Sequence, residues 1–256
     1  MKKTIVLVDI TKLHGGKCCV AGVCREEGGR LYRLSSPYVT REFVNEHGWK
    51  VGTELLGVFE KEVNAGKIHC EDSCWNADET GNVCVGGDLK TIFEGSCVES
   101  LRNDLGIVGK GTPVDEFVPH GRSIVTVVPQ YISMQICPPY NLDGKPSIKL
   151  AFTAGGMSLR YIPITDIRLY HDDGSIDENA VAVAQEHIRA FSRGGEELFV
   201  RVGITRAYDP KQQDDLKYWT QIDGLHFFKK NTNEYVQAFS LEAPRGSFWT
   251  CARFVA

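Results

Sequence analysis

The sequence has no apolar run long enough to cross a membrane, no long run of like charge and no surplus of positive charge. A membrane-spanning helix needs about 20 apolar residues, whereas the N-terminal apolar run from Ile5 to Val8 ends at Asp9. That run is also shorter than the roughly 7–15 apolar residues of a secretion signal, so it predicts a first buried strand. The chain has 29 Lys and Arg against 33 Asp and Glu, and a non-specific duplex binder is usually clearly basic. Any contact with nucleic acid must therefore be local.

Familiar enzyme motifs are also missing. The sequence contains neither the GxxxxGKS/T spacing of a phosphate-binding P-loop nor the GxSxG turn of a serine hydrolase. Its seven histidines are scattered along the chain. His69 beside Glu71 and Asp72 could hold a divalent metal for a nuclease, but a solvated acidic turn is the simpler interpretation. We therefore predict no catalytic residue.

The nine cysteines do not predict a disulfide framework, because their number is odd, the chain is long and no secretion signal is visible. We expect a cytoplasmic protein with mostly free thiols. Zinc is an alternative in one segment, where His69, Cys70, Cys74 and Cys84 lie close together. Structural zinc sites usually repeat a close pair of cysteines, and this segment has no second pair. We predict no metal and no cofactor, and these four residues are the remaining metal candidates.

The pattern of apolar residues predicts a mainly β protein with one or two short helices. The second half is predicted to contain three strands, the first over 123–136 with an interruption at Pro129, then a helix over 176–192 capped by Asp177, and two closing strands over 197–205 and 218–228. The first half is predicted to contain strands over 4–10, 18–25, 30–35 and 53–63 and a further strand near 83–93. It is also predicted to contain a short helix over 40–47 capped by Thr40 and another over 98–105, and the segment 112–121 is predicted to link the halves. This order is the one expected of small Greek-key barrels of the OB type. We predict two tandem OB-like Greek-key barrels, at 1–118 and 122–243, and a C-terminal tail at 244–256. A single β-sandwich is the alternative.

Several short motifs give the chain a family resemblance. They are the turn at 14–16, the strands at 19–22 and 31–36, His69 with Glu71 and Asp72, and the blocks at 202–206 and 219–228. With these motifs the chain resembles the dual OB domain proteins of bacteria and archaea. The resemblance implies two OB-like barrels and a role in binding nucleic acid or a nucleotide, and it implies no catalytic residue. This chain has Leu34 and Ala207 where the family tends to have proline.

The candidate ligand site follows from how OB-type barrels work. Their ligand lies across strands 2 and 3, between the loop that joins strands 1 and 2 and the loop that joins strands 4 and 5. Basic side chains there neutralise phosphates, and each base stacked on an aromatic ring contributes roughly 1–3 kcal/mol. Glycines in the turn at 12–17 could also expose backbone N–H groups to an anion. The predicted ligand-binding residues are Lys12, His14, Lys17, Arg33, Arg206, Tyr208, Lys217 and Trp219.

The leading functional hypothesis is a non-enzymatic module that binds single-stranded nucleic acid or a nucleotide. One alternative is a metal-dependent nuclease or hydrolase that uses His69, Glu71 and Asp72, with His226 as a further candidate. Another is a protein-interaction adaptor that uses the aromatic tail, with Phe248, Trp249 and Phe254. A homodimer is left open, and no membrane partner is expected.

Overall fold

The computed structural model describes residues 1–62, 68–85, 88–139, 144–209 and 215–236. The fold is mainly β, as predicted, and its sheets are curled into half-barrels. In chain order the strands are β1 (Lys3–Lys12), β2 (Lys17–Cys24), β3 (Arg30–Thr40), β4 (Thr53–Gly57), β5 (Phe59–Lys61), β6 (Asp72–Trp75), β7 (Gly81–Val85), β8 (Gly111–Pro113), β9 (Ile124–Val127), β10 (Tyr131–Cys137), β11 (Ser147–Ala154), β12 (Met157–Pro163), β13 (Glu196–Ile204), β14 (Lys217–Lys229) and β15 (Tyr235–Val236). The α-helices of the described residues are α1 (Arg41–Glu46), α2 (Leu89–Gly95), α3 (Leu101–Leu105) and α4 (Glu178–Ser192). None of them is long and apolar enough to span a bilayer.

The first half forms one seven-stranded sheet in the order β5-β6-β3-β2-β1-β4-β7. Strands β1, β2 and β3 pair antiparallel in succession, β3 pairs parallel with β6, and β6 pairs antiparallel with β5. Strand β4 pairs with β1 and continues into β5 after a single residue, Val58. Pairing therefore leads from β1 through β2, β3 and β6 to β5, and β5 continues along the chain from β4, the other neighbour of β1. These strands surround an apolar core that includes Leu7, Leu34, Leu55 and Phe59.

The second half contains two smaller sheets. One has the order β10-β11-β12, and the other has the order β15-β14-β13-β9. Strands β9 and β10 follow each other across Pro129, and a parallel bridge between Ile164 and Ile222 joins the chain after β12 to β14. Pairing and this bridge therefore lead from β9 through β13, β14, β12 and β11 to β10, which follows β9 in the chain. Helix α4 lies between β12 and β13 in the chain. The enclosed core includes Phe152 and Phe227 and takes in the apolar face of α4.

A third apolar cluster joins the two halves. Val6, Val8 and Val23 from the first sheet pack there against Phe199 and Phe228 from the second half. These valines alternate along their strands with residues of the first core, as expected when both faces of a sheet are buried. The second half therefore covers part of the outer face of β1 and β2.

The predicted helix caps are confirmed by hydrogen bonds. Thr40 accepts from the backbone N–H of Phe43 at the start of α1, and Asp177 accepts from the N–H of Ala180 at the start of α4. Each cap satisfies an N–H group that the first helical turn would otherwise leave unbonded. The number of helices was underestimated, because α2 was predicted as strand. Its N-cap is Asp88, whose side chain accepts from the N–H of Thr91.

Some predicted strands are interrupted in the structure. The strand predicted over 53–63 breaks at Val58. The interruption predicted at Pro129 is confirmed, since proline has no N–H for a ladder hydrogen bond. The segment expected to link the halves includes β8, which pairs with β14. Leu101, Leu105 and Phe117, on the first-half side of the predicted boundary, also pack into the core of the second half. The division at 118–122 stays a prediction, and the predicted tail at 244–256 lies outside the described residues.

Candidate functional site

A pocket of about 220 Å³ lies where the first half meets the end of β13. Both loop regions singled out in the sequence contribute to it: Leu13 from the turn after β1, and Thr205 and Arg206 from the segment after β13. The remaining lining residues are Cys19, Arg33, Leu34, Ser35, Tyr38, His69, Asp72, Ile204 and Gln221. We call this cavity the junction pocket.

Two of the predicted arginines meet in the junction pocket on one carboxylate. Asp72, which is buried at the start of β6, accepts hydrogen bonds from Arg33 and from Arg206, the latter at 3.0 Å. Arg33 lies on β3 and is largely buried, whereas the side chain of Arg206 is 68% exposed. Arg206 is therefore tethered at one end and still accessible, which suits a group that contacts a phosphate. Arg33 is held in place by Asp72, so it adds positive charge to the pocket without extending towards solvent.

His69 lies in the wall of the same pocket and is 94% buried. Neither ring nitrogen has a hydrogen-bond partner among the described residues. The backbone of Thr205 is close enough to favour the protonated ring slightly, without forming a hydrogen bond of normal geometry. Burial, followed by the charges of Arg33 and Arg206, lowers the pKa of His69 to about 3. The ring is thus neutral at physiological pH, and its donor and its acceptor are both buried in the pocket wall without a partner among the described residues.

Aromatic side chains flank the junction pocket on both sides. Tyr38 lines it and is half exposed, with the ammonium group of Lys17 4.9 Å from its ring centroid. On the other side, the rings of Tyr208 and Trp219 lie 6.0 Å apart, and the indole N–H of Trp219 donates to the carbonyl of Tyr208. Because side chains alternate along a strand, Trp219 faces the same side of β14 as Gln221, which lines the pocket.

Of the eight predicted ligand residues, Arg33 and Arg206 line the pocket and six do not. Lys17, Tyr208 and Trp219 belong to the aromatic groups beside it. Lys12 is half-buried, 3.7 Å from the ring centroid of Tyr170, and donates to the carbonyl of Gly174, so it fastens the two halves together. His14 is exposed on the turn after β1. Lys217 bonds to Asp215 beside the Tyr208–Trp219 pair. The segment 210–214 of this loop, with Lys211, lies outside the described residues.

The described metal candidates lie in different surroundings. His69 lines the junction pocket, Cys70 lines a separate cleft, and Cys74 is exposed on β6. The side chain of Cys84 lies outside the described residues. No group of three or more His, Cys, Asp or Glu side chains among the described residues has a geometry that could hold a metal ion. Burial raises the pKa of Cys19, the thiol in the junction pocket, to about 12, so this thiol is not a nucleophile at neutral pH.

Beside the pocket, the halves are joined by a buried charged network that sequence patterns did not reveal. Arg201 on β13 donates to both carboxylate oxygens of Asp9 on β1 and to the hydroxyl of Thr126, and both charged residues are at least 97% buried. His226 Nε2 lies 3.7 Å from Asp9 Oδ1. Asp223 is buried nearby, and burial followed by the charge of Asp9 raises its pKa to about 7. The only signal in the sequence was a charged residue inside each apolar strand.

The outer face of β10, β11 and β12 is a second surface with aromatic and basic groups. Tyr131 and Tyr161 are more than half exposed there, and Lys149 and Arg160 lie between them in a depression of about 310 Å³. Tyr161 has a φ of 58° at a break in the pairing register of β11 and β12. This surface was not predicted from the sequence.

Comparison with known proteins does not assign the chain to a family. No family model matches the sequence, and a search of curated proteins finds no match. The resemblance to the dual OB domain proteins therefore stays a prediction, and the functional argument depends on the site itself.

Proposed function

We propose that the chain consists of two tandem OB-type barrels. The support is the order of strand contacts in each half. In the first half β1, β2 and β3 pair antiparallel in succession, α1 follows β3, and β6 later pairs with β3 in parallel. In the second half α4 follows β10, β11 and β12, and a parallel bridge joins the chain after β12 to β14. An OB barrel has five strands with a Greek-key connection, so this assignment takes β4 with β5 and β9 with β10 each as one interrupted strand, and β7, β8 and β15 as additions. By this assignment β2 and β3 are strands 2 and 3 of the first barrel, and the junction pocket lies on its ligand-binding face.

We further propose that the protein is a binding module for single-stranded nucleic acid or a nucleotide, with the junction pocket as its base-binding site. The observation that carries this proposal is the buried His69 with both nitrogens unbonded in a pocket that also contains Arg33 and Arg206. An unsatisfied buried polar group is costly, so its presence in a cavity favours a ligand that bonds to it.

The chemistry of the pocket favours a base with a phosphate nearby. A neutral histidine has a donor and an acceptor, as the edge of a nucleobase does. The amide nitrogen of Gln221 donates one hydrogen bond to Asp223, which leaves its second N–H and its oxygen for a ligand. Arg206 lies at the exposed rim, where a charge-assisted hydrogen bond to a phosphate can form. The cavity of about 220 Å³ is smaller than the roughly 300–1,000 Å³ of pockets that enclose a whole drug-sized ligand. It therefore suits part of a nucleotide, with the remainder outside.

The flanking rings extend the site beyond the pocket. Tyr38 on one side and the Tyr208–Trp219 pair on the other give neighbouring bases surfaces on which to stack. The second half covers part of the β1–β2 outer face, so a strand cannot cross the first barrel freely. A short single-stranded segment or a strand end fits this geometry better than a long continuous strand.

Fluorescence anisotropy with a labelled single-stranded DNA or RNA oligonucleotide tests this proposal. We expect the slope of log affinity against log salt to be about −2, because two or three phosphates are contacted. Arg206→Ala should reduce the slope by about 0.7, and Trp219→Ala should weaken binding about tenfold or more. His69→Leu should weaken binding while the protein stays folded.

The matched comparison is Tyr161→Ala with Arg160→Ala, which removes the same kinds of groups from the β10–β12 surface. It should leave binding unchanged. If it abolishes binding while Arg206→Ala and Trp219→Ala do not, the ligand occupies that other surface and the junction pocket is the wrong site. If no oligonucleotide or nucleotide binds at low salt, the proposed function is wrong.

A further inference from the structure

A second and larger cavity, of about 660 Å³, lies on the other side of the junction between the halves. Its walls come from the turn between β2 and β3, from α2, from Cys70 and Glu71, and from residues 121–124 just before and within β9. We call this cavity the basic cleft. Its volume falls within the roughly 300–1,000 Å³ typical of small-molecule sites.

The basic cleft is lined by an excess of cations. Arg25, Arg30, Lys61 and Arg122 surround its opening, and the buried Arg201 forms part of its floor. Glu71 is the one carboxylate among the described lining residues, and it is engaged by the hydroxyl and the backbone N–H of Ser123. This surplus contrasts with the net charge of −4 of the whole chain.

Most of these cations are not held by a direct contact with the described residues. No hydrogen bond or ion pair among those residues holds Arg25, Lys61 or Arg122, although Arg25 lies within electrostatic range of Glu26 and Asp88. Arg30 is 3.8 Å from a carboxylate oxygen of Glu27. Like charges gathered around one concave surface repel each other, and they focus a positive potential into the cleft. An anion bound there would be attracted by all four exposed cations at once.

The basic cleft is separated from the junction pocket by a thin layer of side chains. Ser123 donates to Glu71 on the side of the cleft and accepts from Arg33, at 3.4 Å, on the side of the pocket. His69 and Asp72 line the pocket, whereas Cys70 and Glu71 between them line the cleft. The two cavities therefore have different walls and can be altered independently.

We propose that the basic cleft is a binding site for a ligand that carries a chain of at least two phosphates, such as a diphosphate or triphosphate group. A phosphate chain carries more negative charge and more oxygen acceptors than a single phosphate, so it can engage more of the four exposed cations. Arginine is well suited to this role because its planar guanidinium bonds two phosphate oxygens at once. This site is additional to the base-binding pocket proposed above and does not depend on it.

Isothermal titration calorimetry with inorganic tripolyphosphate at low ionic strength tests the proposal on the intact protein. We expect one tripolyphosphate per chain, bound at least about tenfold more tightly than orthophosphate. Arg25→Gln and Arg122→Gln should each weaken binding about tenfold, since each removes one charge-assisted contact. Both side chains are exposed and form no hydrogen bond or ion pair with the part of the chain that the structure describes, so thermal unfolding of the variants should match that of the parent protein.

The matched control is Arg102→Gln, which removes an exposed positive charge from α3, outside the cleft. It should leave tripolyphosphate binding unchanged, and an equal loss in this variant would overturn the proposal. So would a tripolyphosphate titration without heat, or binding that Arg25→Gln and Arg122→Gln do not affect. Trp219→Ala should leave tripolyphosphate binding intact, so failure of the junction pocket and failure of the basic cleft give different results.

Discussion

The buried ion pair between Asp9 and Arg201 allows a quantitative test of how the halves are joined. Arg201→Met keeps most of the length of the side chain and removes its charge. Asp9 then loses three hydrogen bonds of 2.8–3.2 Å at a position that is 1% exposed. The hydroxyl of Thr126 loses a donor at 2.9 Å as well.

The expected cost is set by the carboxylate left behind. Breaking a buried ion pair by removing one partner typically costs about 3–5 kcal/mol. The carboxyl of Asp9 can escape part of this cost by binding a proton, and the His226 ring 3.7 Å away offers partial compensation. We therefore expect Arg201→Met to lower the free energy of unfolding by about 3 kcal/mol at pH 7.

The pH dependence of the stability loss in Arg201→Met distinguishes the effect of the lost charge from the effect of altered packing. Burial alone would raise the pKa of Asp9, but the charge of Arg201 and the neighbouring His226 outweigh it and hold this pKa below its usual value. In the parent protein the stabilisation from this pair is complete above the unfolded pKa of about 3.9, and it is lost as the pH falls through the lower folded pKa. In Arg201→Met the folded pKa of Asp9 is raised instead. The deficit should therefore shrink as the pH falls from 7 to 5.

Urea denaturation followed by circular dichroism measures these free energies. The control is the double variant Asp9→Asn with Arg201→Met, which removes both charges and should recover more than half of the loss. Two results would refute the reasoning. One is a loss below about 1 kcal/mol in Arg201→Met, and the other is a double variant whose loss equals the sum of the two single losses.

Four further predictions follow from individual side chains. The folded pKa of Asp223 is raised to about 7. Its contribution to the free energy of unfolding is therefore full below the pKa of the unfolded state and is lost as the pH rises through 7. Denaturation at pH 5.5 and pH 8 should therefore show about 2 kcal/mol of destabilisation that Asp223→Asn removes. Gly203→Ala would drive its new methyl group into the carboxylate of Asp223, so we expect about 1–3 kcal/mol of destabilisation in urea denaturation, and an unchanged midpoint would contradict the packing. His69→Leu should raise stability by about 1 kcal/mol, since it removes two unsatisfied nitrogens, and a loss of stability would mean that the ring has a structural partner. Asp177→Ala should cost about 1 kcal/mol through loss of the α4 cap, measured against Glu178→Ala, which leaves the cap in place.

Local sequence signals predicted the regular elements well. The alternation in β1, β2, β13 and β14 and the capped helix α4 are signals that lie within one element, so the sequence alone contains them. Strand β6 was missed because four residues are too few for a period and its partner, β3, is far away in the chain. The break at Val58 follows Gly57, but a single glycine inside an alternating apolar pattern did not distinguish one strand from two.

The site was harder to predict, because its residues come together only in three dimensions. Arg33 and Arg206 were both proposed from the sequence, yet nothing in the sequence indicated that they share Asp72. Lys12 was expected to face a ligand, but it packs on Tyr170 instead, because an aromatic ring and a carbonyl from the other half lie within its reach. The basic cleft was not predicted, because its cations come from four separate segments of the sequence.

Strand β8 has a consequence for how the two halves can be studied and how they evolve. It precedes the predicted division of the chain, yet it pairs with Lys217, Tyr218 and Trp219 at the start of β14. In a fragment that begins at residue 122, the start of β14 would lose this partner strand. The fragment would also lack Leu101 and Leu105 from its core. The two halves are therefore expected to lose their structure in a single cooperative transition, and neither is a self-contained unit that can be exchanged between proteins.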